Sequence, residues 1–103
     1  MRRGSIWGVR MTDLPGGDLV RDGLRDAASG VVSAASLLVA IGAPRLRRLG
    51  YEAPLDAPEP ERRLYELLER DDPGAAHGRY NALVRRLVSF ERAAEALGAP
   101  PVG

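Results

Sequence analysis

The feature that most restricts this chain is an apolar stripe near its C-terminal end. Ala76, Tyr80, Leu83, Val84, Leu87, Phe90, Ala94 and Leu97 recur at spacings of three and four. With about 3.6 residues per turn, an α-helix stacks residues so spaced on one face. A strand would scatter them to both faces, because its side chains alternate. The spacing therefore predicts one long amphipathic helix from Pro73 to about Leu97. A single apolar face of that length has to be laid against other elements, and helices are what the rest of the chain offers.

Upstream, glycine and proline divide the chain into shorter pieces. Over about Asp18 to Ser29, Leu19, Val20, Leu24, Ala27 and Ala28 share one face, while Arg21, Asp22, Arg25 and Asp26 share the other. Gly30 is placed to end this first helix. Ser33 suits the N-cap of a second helix, Ala34 to Ile41, which is apolar nearly all round and so predicted to be central. Gly42 ends it, Pro44 fits the first position of a short helical turn to Leu49, and Gly50 closes that turn. Pro54, Pro58 and Pro60 mark an extended connection. A third main helix is expected from about Glu59 to Asp71, with Leu64, Leu67 and Leu68 on one face. Asp72-Pro73 then reads as an N-cap and first helical residue. The expected fold is all-α: a small bundle of four main helices plus a short helical turn, with a long C-terminal helix. Residues 18–98 are assigned to a single helical domain, 1–17 to a flexible N-terminal lead-in and 99–103 to a flexible C-terminal tail.

Composition narrows the chemistry. Aromatics are 5% of the 103 residues, so leucine, valine and alanine must fill a modest core. The absence of cysteine excludes disulfides, thiolate-bound zinc, iron–sulfur clusters and a cysteine nucleophile. His77 is the sole histidine, too few for a closed zinc site within one chain. No metal and no cofactor are expected. The basic start, Met1-Arg2-Arg3, lacks the apolar run of a signal peptide, and Leu37–Ile41 is too short to span a bilayer. No membrane association is expected, and a cytoplasmic location follows. All 15 basic residues are arginine, and lysine and glutamine are absent. With a net charge of +1 there is no overall basic field. The arginines are accordingly attributed to a GC-rich bacterial genome.

Nothing in the order of residues marks an enzyme. Ser29, Ser33, Ser36 and Ser89 lack a nucleophile elbow, and Gly16-Gly17 follows no strand. Carboxylates interleave with arginines, as in Glu61-Arg62-Arg63, which suits mutually compensating surface charge. The leading expectation is a non-enzymatic helical binding or regulatory module, acting through contact with another protein or by self-association as a homodimer. Tyr65, off the face of the third helix, and Val88, beyond the edge of the last stripe, are the expected contact residues. Arg85 and Arg92, on the opposite side of the last helix, complete that set.

Two alternatives rest on charge. Arg45, Arg47 and Arg48 cluster after Pro44, and Arg79, Arg85, Arg86 and Arg92 form a second basic group on the last helix. Guanidinium forks grip phosphate oxygens, which suggests a nucleic-acid-binding regulator using Arg45, Arg47 and Arg48 together with Arg85 and Arg92. The short turn carrying the first three is not long enough for the recognition helix of a helix-turn-helix. Separately, the run Arg70-Asp71-Asp72-Pro73-Gly74-Ala75-Ala76-His77 resembles the arginine-to-histidine motif of HEPN-type helical ribonucleases. That resemblance implies RNA cleavage by Arg70 and His77 across a dimer interface.

Overall fold

The computed structural model describes residues 10–97. Five α-helices follow one another: α1 (Gly17–Ala28), α2 (Ala34–Ile41), α3 (Ala43–Arg48), α4 (Pro60–Asp71) and α5 (Ala76–Ala96). Four of them have eight or more residues, and α5 is the longest at 21. Short 3-10 turns precede α1 (Met11–Asp13) and α5 (Pro73–Ala75). There is no strand among the described residues.

The core is aliphatic, as the scarcity of aromatics requires. Leu37, Leu38 and Val39 of α2 are buried against Val20, Leu46, Leu64, Leu68, Leu87 and Phe90 from the surrounding helices. Burying one such side chain contributes about 1.5–3 kcal/mol. Helix α2 is the hub, touching α1, α3, α4 and α5. It starts where its cap predicts: Ser36 N–H donates to Ser33 Oγ at 3.1 Å, and Ser33 N–H donates to Ser36 Oγ at 2.8 Å. Ser33 Oγ–H in turn donates to Asp26 of α1, fixing the turn between the two helices.

Close approach of α1 and α2 depends on Gly23. A Cβ added there would lie 2.3 Å from the Ala35 carbonyl oxygen and 2.7 Å from Val39 Cγ1. After α3, Tyr51 sets its ring 5.5 Å from that of Phe90, tilted by 55°. Arg47 donates to the Ala53 carbonyl at 3.0 Å, and Ala53 is buried. These contacts hold the proline-rich connection on the core. Glu59 ends it in the left-handed region, at φ +44°, and Pro60 opens α4.

Several expectations need amending. Residues 11–17 carry structure: Met11 and Leu14 pack against the core. Gly16, at φ +73°, sits where a Cβ would lie 2.4 Å from the Arg86 carbonyl oxygen. The first nine residues of the proposed lead-in and the proposed tail 99–103 lie outside the described residues. Asp72 takes an extended conformation but its side chain caps nothing, and the following residues make a 3-10 turn before α5 begins at Ala76. The long stripe is buried at Ala76, Leu87, Phe90 and Ala94, yet Leu97, the residue after the last of α5, is 38% exposed. No described helix is long and apolar enough to cross a membrane.

Candidate functional site

A groove of about 310 Å³ opens between the α2–α3 junction and the middle of α5. Its floor comes from the two elements that the sequence pattern makes most apolar: Ile41 at the end of α2, and Val84, Leu87 and Val88 on α5. Leu87 is buried, while Ile41, Val84 and Val88 are half-buried and meet the open space. Arg45 and Arg48 of α3 stand on the other wall.

Among these apolar residues lies one carboxylate, Glu91, only 4% exposed. Gly42 makes room for it. A Cβ at that position would come within 2.9 Å of Glu91 Oε2 and 3.0 Å of Leu87 Cδ2. Arg45 reaches across from α3, placing one guanidinium nitrogen 3.5 Å from Glu91 Oε1 and the other on Glu95. Glu91 Oε2 accepts no hydrogen bond within the described chain. Burial pushes the Glu91 carboxyl above the ordinary range and Glu95 adds to that, while Arg45 and Arg48 oppose it.

A raised folded-state pKa fixes the direction of a pH effect. Below the ordinary glutamate range both folded and unfolded chains hold the proton, and Glu91 costs nothing. As pH rises, the unfolded chain releases its proton first, so stability falls until the folded carboxyl has also ionised. A Glu91→Gln variant is expected to flatten this decline. Chemical denaturation at pH 4 and pH 7 should show the variant gaining on the wild type at the higher pH; the same difference at both would exclude Glu91 as the titrating group.

The other sequence candidates fall in different places. Tyr65, expected at a contact surface, is half-buried at the edge of the core, its ring 5.8 Å from that of Tyr80. Of the arginine trio after Pro44, Arg45 and Arg48 share the groove wall, Arg45 engaged by Glu91 and Glu95 and Arg48 exposed, while Arg47 donates to the Ala53 carbonyl. Arg70 ends α4 while His77 lies in the first turn of α5, with the Pro73 turn between them, so they do not share a helical face. His77 Nε2 is 3.2 Å from Asn81 Nδ2, both on α5. Val88, Arg85 and Arg92 do come together, on adjoining positions of α5, with Val88 at the groove edge and both arginines exposed. Among the described residues no group of three or more His, Cys, Asp or Glu side chains is placed to hold a metal ion.

Glu91 was absent from the sequence candidates, although a signal existed. It stands four residues after Leu87 and three before Ala94, on the inner side of the stripe, where a carboxylate has no reason to be on packing grounds. Gly42, expected only to end α2, owes its place as much to the carboxylate above it. Comparison with protein-family models, curated proteins and solved structures returns no match.

Proposed function

We propose that the protein is a non-enzymatic helical module that works by contact with another protein or by self-association, through the groove between α2–α3 and α5. The observation that carries this reading is the open apolar floor of Ile41, Val84 and Val88, which finishes its burial only if something is laid on it. Val88 sits at the edge of that floor with Arg85 and Arg92 beside it, the arrangement of an apolar anchor with a charged rim. Glu91 supports the same reading. A buried carboxylate held at 3.5 Å by one arginine is a poor stabiliser, so its presence is better accounted for by a surface that must stay specific than by stability.

Sedimentation velocity over a range of micromolar concentrations tests self-association. A concentration-dependent dimer that Val88→Arg abolishes is the expected result for that branch. If the protein stays monomeric, a photo-crosslinker at position 88 in the native host tests the other, with position 62 on the far helix as control. Equal labelling from the two positions, together with a strict monomer, would remove the proposal.

A further inference from the structure

The charges of α5 are segregated. Both of its carboxylates, Glu91 and Glu95, are drawn to Arg45 on the groove side. Arg85, Arg86 and Arg92 are exposed and make no ion pair among the described residues. Several other exposed arginines are compensated, Arg21 and Arg25 by Asp22, Arg62 by Glu59 and Glu66, and Arg79 by Asp71. Arg10, Arg48 and Arg70 are exposed without an ion pair among the described residues but do not share one helix. At about 100° per residue, no acidic residue falls on the outer face of α5 from Gly78 to Arg92. Small side chains separate the arginines there, at Gly78, Ala82 and Ser89. Between Arg85, Arg86, Ser89 and the Pro15-Gly16 turn lies a second hollow of about 510 Å³, and no carboxylate lines it.

From this we infer that α5 binds the sugar–phosphate backbone of a nucleic acid through Arg85 and Arg92 on its outer face and through Arg86, about 100° further round the helix on the hollow it shares with Arg85. A protein partner would need a large apolar anchor at the centre of the face, and Val88 at its rim belongs to the groove instead. Phosphates need donors, the absence of acids, and a close approach, all of which this face offers. Arg85 and Arg92 stand about 10 Å apart along the helix axis, at about 1.5 Å per residue. The inference shares Arg85 and Arg92 with the rim of the groove but does not need its apolar floor of Ile41, Val84 and Val88.

The test is fluorescence anisotropy with a labelled DNA duplex of about 20 base pairs and an RNA strand of about 20 nucleotides, both of mixed sequence, with salt raised from about 50 to about 200 mM. Three phosphate contacts predict that affinity falls about 40-fold over that range for the duplex, at a slope of about −0.9 each, and about 20-fold for the single strand, at about −0.7 each. The triple variant R85A/R86A/R92A should lose binding to both polymers, and the corresponding lysine variant should keep most of it. A charge-matched control, R21A/R25A/R62A, should bind like the wild type; all six positions are exposed, and circular dichroism checks that each variant is folded. Binding of either polymer with this pattern carries the inference, and the tighter one identifies the source of the phosphate. Three results would overturn it: no binding at the lower salt, equal loss in the control, or poly-glutamate bound as tightly as the nucleic acids.

Discussion

Phe90→Ala is expected to cost about 3–5 kcal/mol, the usual range for emptying a buried aromatic site. Phe90 is fully buried, and it is the one phenylalanine in a core otherwise built from leucine, valine and alanine. Its loss removes the surface that Tyr51 packs on, and with it the anchor that holds the proline-rich connection to α5. The backbone around position 90 has little freedom to collapse into the void, since Gly16 lies against the preceding turn of α5. Domains of this size have about 5–15 kcal/mol of total stability, so the variant sits near the folding threshold at 37 °C. Urea denaturation followed by circular dichroism measures the effect as a fall in midpoint with an unchanged slope. A loss below about 1 kcal/mol would mean that Phe90 is not part of a close-packed core.

The second large effect turns on the sign of one substitution made at two sites. Exchanging glycine for alanine inside an exposed helix gains about 1 kcal/mol from propensity. Gly78 of α5 has open space where its Cβ would be, and Gly78→Ala is expected to show that gain. At Gly23 the same methyl group would meet the Ala35 carbonyl at 2.3 Å, and that oxygen belongs to the backbone of the central helix, so it cannot turn aside. Gly23→Ala is therefore expected to destabilise the protein by about 2 kcal/mol in spite of propensity, forcing α1 and α2 apart. In a domain of this length that lowers Tm by roughly 8–16 °C. Thermal melts of the two variants side by side decide it: two stabilising substitutions would show that α1 and α2 do not cross closely at Gly23.

Legibility differed sharply between the elements and the site. The helices were readable because their signals are local. Ser33 starts α2 where its side chain can cap the Ser36 amide, and the stripe from Ala76 to Ala94 is the inward face of α5, buried at Ala76, Leu87, Phe90 and Ala94 and half-buried at Tyr80, Leu83 and Val84. The Asp72-Pro73 signal was weaker than it looked, since proline fixes its own φ but does not oblige the next residues to be α rather than 3-10. For the site, Val88, Arg85 and Arg92 were found because one helical wheel shows them together. The uses of Arg45 and Arg47 were not, because their partners Glu91, Glu95 and Ala53 are brought to them by the turn of the chain after α3.

The sequence by itself determined which segments are helical, which face of each is apolar, and that α2 is central. Those properties follow from spacing within a few turns, capping and residue chemistry, and none needs a distant partner. Only the tertiary structure decided which charged side chains are spent inside the molecule and which are left over. Arg45 is engaged by the α5 carboxylates and Arg47 by a carbonyl, while Arg85, Arg86 and Arg92 are exposed without an ion pair among the described residues. The physical reason is that pairing depends on distances between elements far apart in the chain. For the same reason the long apolar stripe that most restricted the fold also carries, at Glu91, the residue whose role it could not disclose.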